Sequence, residues 1–175
     1  KLLACEPAQN FVYRADLVRD GVRYHVRRLP GEERSEFLAS SDSWFHPIAL
    51  THAPDGTIWI VDFYREIIED YSAIPRYLQQ QYGLVNGRDR GRIWRLTHAA
   101  APASTAADMS RLGSEELVRE LGSQHFWRRQ TARRLLIERG AKAEADALRK
   151  LLAADAPPAA TLEALAVLEA SAILS

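Results

Sequence analysis

Short apolar runs that end in a charge mark the first hundred residues, and amphipathic helical stretches mark the rest. The clearest run is Ile58-Trp59-Ile60-Val61, too brief for a helix and closed by Asp62. Pro54-Asp55-Gly56 precedes it, a turn signal flanked by β-formers. Arg92 to Leu96, opened by Gly91, reads as a third strand. Residues 48–53, 57–63 and 92–97 are therefore predicted to form an antiparallel meander. Three further strands are predicted at about 1–6, 10–18 and 22–29, with Asp20-Gly21 as a turn. The two stretches echo each other: Leu2-Leu3-Ala4-Cys5-Glu6 resembles Trp59-Ile60-Val61-Asp62, and Phe11-Val12-Tyr13-Arg14 resembles Arg92-Ile93-Trp94-Arg95. A repeated short-strand meander with tight turns predicts blades of a β-propeller.

Residues 65–90 interrupt the second meander. Ser72 and Pro75 predict a short helix over Arg76 to Tyr82, closed by Gly83, and Asn86-Gly87 predicts a turn. Connections this long inside a meander are functional or disordered. Ile67, Ile68, Tyr71, Ile74 and Tyr77 give this one apolar anchors, so an ordered loop is expected.

After an Ala, Pro, Ser and Thr-rich stretch the period becomes helical, with helices predicted at about 114–122, 125–139, 142–154 and 158–171. Ser114 and Ser123 are the expected N-caps, Gly140 a C-terminal stop and Pro157-Pro158 a helix start. Leu117/Leu121, Ala132/Leu135/Leu136, Leu148/Leu151/Leu152 and Leu162/Leu165/Leu168 mark one apolar face per helix. Short helix pairs with small loops predict a HEAT-like region. The expected fold class is thus mainly β: propeller blades in a partial propeller over residues 1–98, a linker over 99–112, then an all-α HEAT-like helical region over 113–175.

Composition narrows the picture. The 175 residues are 47% hydrophobic, enough for a packed core and one or two domains. Lys plus Arg and Asp plus Glu both number 23, so no overall charge draws the chain to nucleic acid. No apolar run is long enough to span a membrane. Lys1 is not a natural start, so the chain is expected to be a piece of a longer protein. Cys5 is the only cysteine, which excludes an intramolecular disulfide, and it is expected to be a small core residue. The five histidines lack ligand spacing, so no metal ligands are assigned, and no phosphate-binding or nucleophile-elbow motif occurs. The basic run Arg128-Arg129…Arg133-Arg134 suits either phosphate contacts or a solvated helix face, and the balanced charge favours the latter.

Alternation of loops along a meander puts the long, aromatic and charged connections on one face, where function resides. The candidate ligand-facing residues are Glu6, Asn10, Trp44, His46, Asp62, Tyr64 and Arg65. No catalytic residue is assigned. A carboxylate and a guanidinium beside aromatic rings suit a sugar or polyol. Each residue also has a purely architectural reading. Asp62 and Glu6 end strands and can accept backbone N–H groups of the next turn. Trp44 and Phe45 can plug the space between blades, and Arg65 can pair with Glu66 or Glu69.

The combination W-F-H-P-I…P-D-G-T-I-W-I-V-D-F-Y-R-E-I-I-E-D-Y…I-P…G-R-I-W-R-L resembles a known family, as do A-C-E-P-A-Q-N-F-V-Y-R and E-F-L-A-S-S-D-S-W-F upstream. It is the glucose/sorbosone dehydrogenase-like propeller, with its HEAT-like region, of bacterial proteins described as membrane-bound dehydrogenases of a haem-binding type. The resemblance covers residues 2–98 well and 113–171 more loosely. It implies the last two blades of a six-bladed propeller and a periplasmic or otherwise extracytoplasmic place. It further implies a quinone-dependent sugar or alcohol dehydrogenase when full length, inactive as this piece. Pyrroloquinoline quinone and calcium are implied for the full-length protein, and haem in a separate domain. No residue here matches a quinone, calcium or haem ligand of that family. The alternative is a non-catalytic carbohydrate- or protein-binding module. The implied partners are a sugar or polyol and the rest of the chain's own propeller.

Overall fold

The structure, a computed structural model, describes residues 1–68, 71–81, 83–84, 86–101, 104–106, 108–153 and 155–173. These residues divide into two units, 1–51 with 58–97, and 52–57 with 98–175.

The first unit holds seven strands: β1 (Leu2–Glu6), β2 (Phe11–Asp20), β3 (Arg23–Arg27), β4 (Leu38–Ala39), β5 (Pro47–His52), β6 (Ile58–Asp62) and β7 (Arg92–Leu96). β2 is long enough to be shared. Its first half pairs antiparallel with β1, from Glu6↔Phe11 to Leu2↔Ala15. Its second half pairs with β3, from Asp16↔Arg27 to Asp20↔Arg23, so each end of that ladder sets a carboxylate against a guanidinium. β4 pairs with β2 only at Phe11 and Val12. A second sheet has the order β5-β6-β7, with β6 and β7 in register from Ile58↔Leu96 to Asp62↔Arg92. Val12, Ala15, Phe45 and Ile60 form the buried apolar set of this unit. The insertion contributes α1 (Arg76–Gln81), which follows Pro75 as expected; Tyr82, its expected last residue, lies outside the described residues.

The second unit carries the other helices: α2 (Ser114–Glu120), α3 (Phe126–Arg139), α4 (Ala145–Lys150) and α5 (Pro158–Ala170). Leu117, Leu121, Leu136, Leu148 and Leu168 are fully buried together. Met109, from the stretch expected to be linker, joins that core. Gly140 stops α3 at φ +69°, a left-handed conformation that glycine adopts without a Cβ penalty, and Pro158 opens α5.

Three expectations are corrected. The fold class is not partial propeller blades followed by a HEAT-like region. Among the described residues there are two small antiparallel sheets and a handful of helices, with no closed propeller and no long helical array. The strand positions in the second meander are close to those expected, but a blade needs strands that pair along their length. β3 instead pairs with β2 beyond the reach of β1, and β4 is two residues long. The helices α2 and α4, of seven and six residues, are too short for solenoid layers. The caps also differ. Gly113 and His125 flank α2 and α3 in place of Ser114 and Ser123, and the Gly113 N–H donates to Glu116 Oε2 at 2.8 Å. Finally, α5 buries Ala160, Ala164, Val167 and Leu168, while Leu162 and Leu165 face out.

The basic run on α3 is neutralised locally. Arg128 pairs with Glu120, Arg133 with Glu163 and Arg134 with Glu138, while Arg129 donates to the Ser123 carbonyl. No helix among the described residues is long and apolar enough to cross a membrane.

Candidate functional site

Asp62 ends β6 because an ionised carboxylate cannot continue an apolar strand, and the corner it reaches is full of unpaired donors. Its side chain is 1% exposed. Oδ1 accepts the backbone N–H of His46 and of Tyr64, both at 3.0 Å. Oδ2 accepts the indole N–H of Trp94 at 3.0 Å and lies 3.5 Å from Nε of Arg92. Three hydrogen bonds and one guanidinium therefore satisfy both oxygens, the condition for burying a charge. Asp62 ties together the approach to β5, the exit from β6 and the strand β7.

Asn10, Trp44, His46, Tyr64 and Arg65 connect to the same corner, whereas Glu6 only caps its own turn; all lie within the first unit. His46 is buried, with Nδ1 2.7 Å from the Pro7 carbonyl oxygen and Nε2 2.8 Å from that of Arg65. Asn10, in the left-handed region at φ +60°, donates its amide to the carbonyls of Ser43 and Phe45. Glu6 turns back to accept the Ala8 N–H at 3.3 Å, capping the 3-10 turn Pro7–Gln9. Trp44 meets Tyr64 edge to face at 5.8 Å between centroids.

Tyr64 itself sits at φ +48°, where a bulky residue pays steric strain that its surroundings must hold in place. Its hydroxyl donates to Asp42 Oδ2 at 3.0 Å, and the guanidinium carbon of Arg92 lies 3.7 Å from its ring centre. Arg65 pairs with no carboxylate among the described residues; Glu69, one of its expected partners, lies outside them. Its NH1 donates to the carbonyls of Phe63 (3.2 Å), Tyr64 (3.0 Å) and Gly87 (2.8 Å), and its plane covers the Phe63 ring at 4.4 Å. Gly87 permits this approach: at φ +84°, a Cβ there would stand 2.7 Å from the Tyr64 carbonyl oxygen.

A cavity of about 310 Å³ opens beside Asp62. Ile48, Phe63 and Ile93 supply apolar wall, and Arg65, Arg88 and Arg92 supply guanidinium groups. Arg88 is exposed and makes no hydrogen bond or ion pair among the described residues. Arg88 and Arg92 were not among the candidates drawn from sequence. Their signal was the run Gly87-Arg88-Asp89-Arg90-Gly91-Arg92, where arginine recurs at every second position up to the first residue of β7.

A family model for a domain of unknown function, DUF7133, matches residues 1–100. The chain belongs to that family. The matched stretch contains every residue of the Asp62 corner and its cavity. No curated protein and no solved structure matches the chain.

Among the described residues no three His, Cys, Asp or Glu side chains come together as a metal-binding group. Cys5 lies in β1 opposite Val12, half-buried, and desolvation pushes its thiol above the usual range. Because the folded-state value is raised, the stabilisation linked to this group is complete below the ordinary thiol pKa of about 8.5 and is lost as pH climbs past the folded value. Iodoacetamide at pH 8 should therefore alkylate Cys5 in the folded chain several-fold more slowly than in urea. Equal rates, read by mass spectrometry, would mean that burial does not protect the thiol.

Proposed function

We propose that this chain is a non-catalytic carbohydrate-binding module, with the cavity beside Asp62 as its site. The observation that supports this reading is the wall of that cavity. Apolar side chains and guanidinium groups face one space of about 310 Å³, within the range of small-ligand sites. The ring of Phe63 and the edges of Ile48 and Ile93 suit the C–H face of a sugar. The arginines suit its hydroxyl oxygens as donors. Asp62 serves as the post that holds these groups and not as a base, since its oxygens already accept from His46, Tyr64 and Trp94. Taking a proton from an alcohol at Asp62 would require dismantling the corner.

The alternative, a quinone-dependent sugar dehydrogenase, rests on the resemblance in residues 2–98. The two differ in a simple assay. Titration of the chain with D-glucose and D-glucuronate should give a saturable heat of binding by calorimetry. In the full-length protein, where the dehydrogenase reading expects activity, an electron-accepting dye should stay oxidised with either sugar when pyrroloquinoline quinone and calcium are added. Sustained dye reduction would overturn the binding-module reading in favour of the oxidoreductase.

A further inference from the structure

We infer that the ligand is an acidic sugar whose carboxylate or sulfate group is gripped by Arg65, Arg88 and Arg92; the inference rests on the carbohydrate-binding reading above and adds the charge of the ligand. Three guanidinium groups and one carboxylate, Asp62, line the cavity, which leaves two positive charges in excess (three minus one). The carboxylate is also spent. Both its oxygens accept protein donors, so it does not compete for the outward-facing N–H groups of the arginines. Arg65 is held by three carbonyls through NH1 alone, and Arg92 uses Nε towards Asp62 and the Arg90 carbonyl while its plane lies on Tyr64. Two of the three forks are thus oriented before any ligand arrives, which lowers the ordering cost of binding. The third, Arg88, has no partner among the described residues and supplies the free donor.

Planar guanidinium forks match the paired oxygens of carboxylate and sulfate better than single hydroxyls, and charge-assisted bonds are the stronger ones. A neutral sugar would leave the excess charge uncompensated, whereas an anionic one neutralises it. The apolar wall argues against a bare inorganic ion, because Ile48 and Ile93 offer such an ion nothing; both are more than two-fifths exposed and free to be covered.

The test uses the full chain and three probes: D-glucuronate, D-glucose and sodium sulfate, each titrated at low ionic strength by isothermal titration calorimetry. Glucuronate should bind at least about ten-fold more tightly than glucose, the ratio one lost charge-assisted hydrogen bond gives. That preference should shrink as NaCl screens the arginines. Arg88→Gln should abolish it without unfolding, since Arg88 has no structural contact to lose, while Arg34→Gln, the same charge change at an exposed position between β3 and β4, should leave it intact. Equal affinity for glucose and glucuronate overturns the charge assignment and leaves the neutral-sugar reading standing. Sulfate binding as tightly as glucuronate, with glucose silent, overturns the sugar reading and keeps only an anion site. No response to any probe overturns both.

Discussion

Replacing Asp62 by alanine is expected to destabilise the first unit by about 3 kcal/mol or more, because three donors lose their shared acceptor. The reasoning starts from the donors left behind. The N–H groups of His46 and Tyr64 and the indole N–H of Trp94 all point at Asp62, which is itself 1% exposed. Each buried donor left unpaired costs roughly 1–3 kcal/mol. Arg92 would lose its carboxylate at the same time. Asp62→Asn is the gentler test. One oxygen remains to accept the two backbone donors, but the amide NH₂ then opposes Trp94 Nε1, so a loss of roughly 1–3 kcal/mol is expected. Urea unfolding followed by tryptophan emission, three of whose four sources (Trp44, Trp59 and Trp94) lie in the first unit, measures both. In the Asn variant, sugar affinity per folded molecule should change little, because Arg65, Arg88 and Arg92 make the proposed contacts. A large drop in affinity with an unmoved urea midpoint would instead make Asp62 a ligand-contacting group.

The same residue shows what could be read from the chain before its structure. Asp62 was visible as the charge that closes an apolar run, and both of its readings, ligand group and acceptor of backbone N–H groups, were available. The choice between them depends on Trp94 and Arg92, which lie thirty positions downstream across the insertion and meet Asp62 only through the β6–β7 register. Strand positions were legible because alternation and turn residues are local properties. The way strands close into a larger body is not local. Val22 to Leu29 looked like the outer strand of a blade, yet β3 pairs only with Asp16–Asp20 of β2, an offset set by the length of β2 and by the turn at Gly21. Arg88 and Arg92 went unnoticed because the insertion has no period to mark which of its side chains converge. The expected cap Ser114 failed for a related reason: the reach of Glu116 back to the Gly113 N–H, which sets the helix start one residue earlier, is a contact that no single position announces.

Leu136→Ala is expected to cost the helical unit about 2–5 kcal/mol, the range for a leucine removed from a well-packed core. Leu136 is 0% exposed on α3 and shares one cluster with Leu117, Leu121, Leu148 and Leu168, contributed by α2, α4 and α5. Three short helices have few other means of holding their positions against it. Their intrinsic stability is marginal at six to thirteen residues, so most of it comes from this shared apolar face. The instructive comparison is Leu162→Ala on α5. Leu162, Leu165 and Leu168 form a plausible stripe in sequence, but the helix is rotated so that Ala160, Ala164, Val167 and Leu168 face inward, and Leu162 remains 67% exposed. Its replacement should change stability by no more than about 0.5 kcal/mol. Helical circular dichroism during urea unfolding separates the two variants. A loss at Leu162 as large as that at Leu136 would mean that α5 presents its leucine stripe to the core, and the packing described for this unit would have to be redrawn around that face.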